Sequence, residues 1–420
     1  MKKIKNCALV MVLGSGAVFG ADHSAPVIDD SKLSILLRNA VFDRDFKNGV
    51  QDRREWGQAA IAKFTSGYTP GLIGVSADIF GMYAIRLDGG GGRTGSSSID
   101  MFKQDSSGNP ADNLARAGAA VNFKLSNTVI KYGDQMPDYP VLSYSNTRLL
   151  PETYTGVSIN SKEIKGLELN AAHFTAEVRK GAEGHDSAGL KQIDLLGGTY
   201  ALADNLQATA YQSWDRNYFK KSYGAVYYAH PLDKSSSLTF DLRGYHTLLD
   251  DEFAARLGRG DENTIWSLAT TYKLGGHSLI LAYQKSSGSV GYPYGGYQSL
   301  GRPGDGGSTF LLANSFFSDF NAEDEASWQL GYGYDFTAMG VPGLSYRFAY
   351  VKGVNIRTPD GDGDERELFN QVKYVVQSGS MKDLSFKVRS SILRVSKNAA
   401  AYNVSANEVR VYVEYPINIF

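Results

Sequence analysis

Residues 409–415 read Val-Arg-Val-Tyr-Val-Glu-Tyr. Val409, Val411, Val413 and Tyr415 share one parity; Arg410, Tyr412 and Glu414 share the other. Successive side chains of an extended chain point to opposite faces, so this stretch has one apolar face and one wet face. The preceding segments repeat the pattern. Leu384, Phe386 and Val388 oppose Ser385, Lys387 and Arg389. Val372, Tyr374 and Val376 oppose Lys373, and Leu344, Tyr346, Phe348 and Tyr350 oppose Ser345, Arg347 and Ala349. A soluble β-sandwich alternates in the same way but in shorter strands. A tilted bilayer crossing requires about 9–11 residues.

Working outward, about 18 such segments fit the chain, an even number as bacterial barrels require. Their starts include Lys32, Leu72, Ser222, Glu367 and Ala406. The connections alternate in length. Tight ones such as 126–127, 204–205 and 275–276 alternate with longer polar ones such as 86–112, 136–151 and 287–325; 214–219 is the one short member of the long set. Short turns at one end and long loops at the other mark an antiparallel up-and-down transmembrane barrel, all-β in class. Trp56, Trp266, Trp328 and Tyr272 fall near strand ends, where interfacial aromatic girdles belong. Phe420 ends the chain on the parity of Arg410 and Glu414, so a twist after Pro416 is needed to turn it outward.

Composition agrees. Gly 46, Tyr 26 and Phe 20 against Pro 12 favour long strands over helices, and the slightly negative mean hydropathy fits strands that are only half apolar. Lys2, Lys3 and Lys5 precede a short apolar run and small residues at Val18 and Gly20, so residues 1–20 are expected to be a signal peptide and 21–420 a single barrel domain. Loss of those lysines leaves 40 basic and 44 acidic residues and removes Cys7, the only cysteine, so no disulfide stabilises the exported chain. No basic stripe points to nucleic acid. The six histidines, His23, His173, His185, His230, His246 and His277, show no ligand spacing, and neither a metal nor a cofactor is expected.

Several segments carry a family likeness: DSKLSILLRNAVFDRDF (30–46), REWGQ (54–58), MPDYPVLSYSNTRLLPETYTG (136–156), SKEIKGLEL (161–169), GVPGL (340–344) and VEYPINIF (413–420). In order and along the whole exported chain, they resemble the OprD, or Occ, family of outer-membrane carboxylate channels. The resemblance implies an 18-stranded porin in the outer membrane of a Gram-negative bacterium. It implies passive, selective diffusion of small solutes bearing a carboxylate. It also implies third and seventh outer loops folded into the lumen, and a ladder of Arg and Lys on the wall. The remaining partners would be outer-membrane lipid and lipopolysaccharide, the barrel-assembly machinery and, as monomer or loose homotrimer, further copies of the chain.

The ladder can be placed by parity alone. Arg347, Lys373, Lys387, Arg389 and Arg410 lie on the wet parity of the last strands, and Arg243, Arg116 and Arg38 on that of earlier ones. A charge facing lipid at mid-membrane costs about 2–4 kcal/mol, so these residues are expected to face the pore. They either guide anions or neutralise acids such as Asp241, Asp335 and Glu414. In the third loop, Asp138, Tyr139, Ser143, Tyr144 and Arg148 are candidate constriction residues; in the seventh, Tyr292, Tyr294, Tyr297, Asp305 and Asn314. The alternative for both sets is packing of loop against wall. Residues 360–365 (DGDGDE) resemble the start of a calcium loop but lack its later ligands. Residues 89–95 have phosphate-loop composition without a following helix. A barrel protease or lipase is the rival function; it needs a paired His at a strand end, for which His173 and His246 are the candidates.

Overall fold

The computed structural model describes residue 27 and residues 30–88, 99–105, 109–187, 189–258, 260–294 and 310–420. The proposed leader, the glycine run at 89–95, Tyr297 and Asp305 lie outside them. The wall comprises β1 (Lys32–Phe46), β2 (Arg53–Thr65), β3 (Gly74–Arg86), β4 (Asn113–Leu125) and β5 (Thr128–Gln135). A two-residue-per-strand ribbon, β6 (Asp138–Tyr139) with β7 (Leu142–Ser143), stands outside the wall in the third loop. The wall resumes with β8 (Thr153–Ser161), β9 (Leu167–Val178), β10 (Ile193–Ala203), β11 (Leu206–Asp215), β12 (Phe219–Pro231) and β13 (Ser236–Leu249). It ends with β14 (Glu262–Leu274), β15 (His277–Gly288), β16 (Ala326–Asp335), β17 (Leu344–Ile356), β18 (Gly363–Val375), β19 (Ser385–Val395) and β20 (Ala406–Asn418). These wall strands form one 18-stranded antiparallel sheet, and β20 pairs with β1 to close it. A seven-residue helix, α1 (Asp251–Leu257), sits in the sixth loop, capped by Asp250 and Gly258.

The apolar parity faces outward. Ile79, Tyr132, Leu196, Leu281 and Val388 are exposed, whereas inward Ser213, Thr247, Ser267, Gln284 and Ser327 are buried. That is a soluble protein turned inside out, as hydrocarbon on one side and a polar lumen on the other require. Strand starts depart from expectation where the chain is polar: β12 begins three residues before Ser222 and β18 four before Glu367. Both extensions lie at the long-loop end, where wall strands rise past the apolar band and lose their hydrophobic signal.

Leu33 donates its N–H to the Phe420 carbonyl at 3.0 Å, so the start of β1 and the carboxyl end meet on the side of the short turns. The ladder does not break at Pro416. The register of β20 on β1 runs without a shift from Ala406 through Pro416 to Asn418. Pairing with β19 stops at Glu414, so the missing N–H of Pro416 breaks no ladder on that side. Phe420 lies beyond the last paired residue and is exposed.

Candidate functional site

Register assembles the ladder. Arg347 stands opposite Gln371, Gln371 opposite Arg389, and Arg389 opposite Arg410. The next row towards the short turns sets Lys373 opposite Lys387 and Lys387 opposite Tyr412. One row further, Glu414 faces Arg38. All five late cations project inward, as their parity required, because outward Phe386, Val388 and Val409 alternate with them and are exposed.

Like charges directly across a sheet repel. The wall answers with aromatic rings more than with carboxylates. Arg347 lies over Phe316 at 5.2 Å, Arg389 over Phe369 at 5.1 Å, Lys387 over Tyr412 at 4.2 Å and Arg410 over Phe42 at 4.8 Å. A ring face holds a cation by its quadrupole without cancelling its charge, at about 0.5–2 kcal/mol each. Arg410 also has a carboxylate: Glu408 bridges it at 2.5 Å and Arg44 at 2.6 Å. Among the described residues Arg347, Lys373, Lys387 and Arg389 have no ion pair within 4 Å.

Three earlier cations do different work. Arg38 pairs with Glu414 at 2.6 Å and donates to Asn146 and to the carbonyls of Arg148 and Leu149 at 2.8–3.3 Å. Arg116 donates to the carbonyls of Val178, Arg179 and Lys180 in the fourth loop. Arg243 grips Asp241 through two bonds of 2.7 and 2.6 Å and the Leu311 carbonyl at 3.1 Å. Of the acids expected to neutralise lumen cations, Glu414 and Asp241 do so. Asp335 instead caps the turn at Phe336–Met339 through Thr337.

The third loop touches Arg38 on β1, Tyr412 on β20, Tyr211 on β11 and Tyr245 on β13. These strands stand on opposite sides of the ring, so the segment crosses it. Arg38 lies eight residues below the top of β1, or about 26 Å along the strand at ~3.3 Å per residue, so the crossing is inside the barrel. Tyr245 joins both long loops: its hydroxyl donates to the Pro140 carbonyl at 3.0 Å and accepts from the Leu311 N–H at 3.3 Å.

The loop candidates divide by burial. Asp138 is exposed and accepts from Ser143 at 2.8 Å, which fixes the ribbon. Tyr139 and Tyr144 are half-buried, and burial pushes both hydroxyls up, so they stay neutral donors at physiological pH. Arg148 lies over Phe42 at 5.2 Å; burial first, then repulsion by Arg44 and Arg410, pushes it down to about 10, still protonated at neutral pH. In the seventh loop, Tyr292 packs against Tyr245, Tyr294 and Phe310, and Tyr294 donates to Asp319. Asn314 is fully buried and donates to Ser327 at 2.9 Å, so Tyr292 and Asn314 fasten the loop to the wall.

Sequence reasoning passed over Arg44, Lys63, Lys131 and Lys221. Arg44 shares the inward parity of Arg38; it pairs with Glu408 and lies over Phe317 at 5.2 Å. Lys63, inward on β2, is within electrostatic reach of Arg38 and Lys131. Lys221 is buried and donates to the carbonyls of Pro293 and Tyr294, anchoring the seventh loop. In the DGDGDE stretch the carboxylates diverge: Asp364 turns outward to Lys352 at 2.6 Å and Glu365 inward to Ser318 at 2.5 Å. His173 does meet Asp194 at 2.7 Å, and His246 meets Thr264 at 2.9 Å, but both pairs sit on the outward parity, away from the lumen.

A closed barrel with a lipid-facing belt, a wet lumen and cations along its wall defines an outer-membrane porin. The chain belongs to the OprD family: the family described as "outer membrane porin, OprD family" matches residues 26–419. Porin D of Pseudomonas aeruginosa is 37% identical over 451 aligned residues covering 100% of both chains. The crystal structure of OccAB1 from Acinetobacter baumannii superposes with a TM-score of 0.88 at 35% identity, covering 96% of this chain and 100% of that one. OpdK of Pseudomonas aeruginosa, crystallised with vanillate, gives 0.81 at 27% identity over 93% of this chain and 100% of that one. The protein is a substrate-specific porin of a Gram-negative outer membrane and not an enzyme.

Proposed function

We propose that this porin passes small carboxylates by diffusion along the track Arg148, Arg44, Arg410, Arg389, Lys387, Lys373 and Arg347, with Lys63 beyond it. One observation carries the reading: Arg347, Lys387 and Arg389 are seated on aromatic rings and, with Lys373, have no carboxylate partner among the described residues, whereas Arg44 and Arg410 share the single Glu408 carboxylate. In a narrow tube with low-dielectric walls such a row raises the local anion concentration. The guanidinium fork matches a carboxylate, and neighbouring cations let the anion be handed on without being trapped. Tyr144 supplies a neutral hydrogen bond on the side of Arg38 and Tyr139 one on the facing side beside Tyr211, and Asp138, Ser143, Tyr294 and Asp319 hold the two loops that narrow the passage. Vanillate, found with OpdK, is an aromatic carboxylate and belongs to the class proposed here.

Each chain closes its own barrel, so a monomer is a complete channel and a loose homotrimer would be three independent ones. Residues 1–20 act as the export leader in this reading, and the exposed Phe420 end is what the assembly machinery would meet. Liposome swelling tests the substrate class. A carboxylate should permeate clearly faster than its amide of equal size, and the advantage should shrink with added salt. Equal rates for acid and amide would contradict the proposal.

A further inference from the structure

Three cations share one register row on the outer surface of the barrel. Trp328 on β16 stands opposite Lys352 on β17, Lys352 opposite Arg366 on β18, and Arg366 opposite Arg394 on β19. All three have the outward parity, since Val351, Glu367 and Leu393 between them are fully buried inside. Below the row the same faces are apolar: Tyr350, Phe348 and Tyr346; Leu368, Val372 and Tyr374; Ile392, Val388 and Phe386. The polar side chains there are Asn370, which accepts from Tyr346 at 2.7 Å, and Ser390 opposite it on β19. From Tyr374 to Arg366 the strand rises about 26 Å, or roughly 20 Å along the membrane normal at the usual tilt. An outer-membrane barrel carries an apolar band about 25 Å tall, so the row stands at its outer boundary, on the long-loop side.

The local charge is not balanced. Asp364 pairs with Lys352 at 2.6 Å. Arg394 donates to the carbonyls of Leu393 and Ala406 and to Asn407 at 2.7–3.2 Å. Asn407 leads on to Asp45, already matched by Lys47 at 2.5 Å. Arg366 is exposed and has no hydrogen bond or ion pair among the described residues. On β1 and β2, by contrast, outward Asp43 is matched by Arg54 at 3.8 Å.

We propose that Lys352, Arg366 and Arg394 form a docking site for the phosphorylated headgroup of an outer-leaflet lipid, whose acyl chains lie along Leu368, Ile392 and Val388. Arg366 supplies a free fork for a phosphate, Arg394 a pre-positioned one, and Lys352 can leave Asp364 for a dianion. Trp328 edges the site at the interface. The site is separate from the lumen track and stands or falls apart from it.

Native mass spectrometry of the purified full-length barrel, titrated with diphosphorylated lipid A and with the same lipid stripped of phosphate, tests this. Wild type should retain the phosphorylated lipid preferentially. Arg366→Glu should weaken that retention about tenfold, or ~1.4 kcal/mol. Arg366→Gln should show a smaller loss in the same direction. Lys220→Glu, an outward cation six strands away, should leave retention unchanged. Equal retention by Arg366→Glu and wild type, an equal loss with Lys220→Glu, or equal binding of the phosphate-free lipid would each overturn the proposal.

Discussion

Arg389 and Arg410 face each other across β19 and β20, and nothing in their alternation with valines says how such a pair is tolerated. The answer lies in residues distant in sequence: Phe369 and Phe42 beneath the guanidinium groups, and Glu408 beside one of them. Parity puts Arg347, Lys373, Lys387, Arg389 and Arg410 on the inward face but does not separate them from Arg38 and Arg116, whose guanidinium groups are spent on loop carbonyls. The two sets should respond differently to mutation. Arg38→Gln leaves Glu414 and the carbonyls of Arg148 and Leu149 without their donor inside the protein, and should lower stability by about 3–5 kcal/mol. Arg347→Gln removes a cation that rests only on Phe316, and should cost under ~2 kcal/mol while reducing anion preference. Thermal midpoints of the two variants, beside their reversal potentials, check the contrast. A larger loss of stability in Arg347→Gln would reverse the assignment.

At the scale of elements, the third loop is seated by shape as well as by Arg38. Leu149 and Phe102 press against Gly57 on β2, where an added Cβ would collide with both. Gly57→Val should therefore displace the loop, at about 1–3 kcal/mol of overpacking strain, and raise single-channel conductance. Unchanged conductance would mean that this loop does not set the constriction. The seventh loop carries a titratable group. Burial pushes the Asp319 carboxyl up, against the pull of Ser315, Tyr294, Arg410 and Arg389. The folded barrel thus holds this proton to higher pH than the unfolded chain does. Its contribution to stability is full below the ordinary aspartate value and is lost as pH rises through the raised one. Thermal midpoints from about pH 4 to about pH 8 should show that decline in wild type and a flatter profile in Asp319→Asn. Identical profiles would exclude the group.

For the whole molecule, the 18 strands were legible because a two-residue period repeats with little interruption and loop lengths alternate from end to end. Strand starts moved most at Phe219 and Gly363, three and four residues towards the long loops, where strands leave the apolar band. The loops were legible as long but not as anchored: Tyr245 holding Pro140 and Leu311 together is a contact among three distant segments, with no local signal. The central claim is that the lumen selects anions through cations left uncancelled on the wall. Reversal potential across a planar bilayer under a potassium chloride gradient measures it most directly. Wild type should prefer chloride at low salt, and Lys387→Gln with Arg389→Gln should shift the potential towards cation preference while the barrel still folds. A reversal potential identical in wild type and the double variant at low salt would contradict the account.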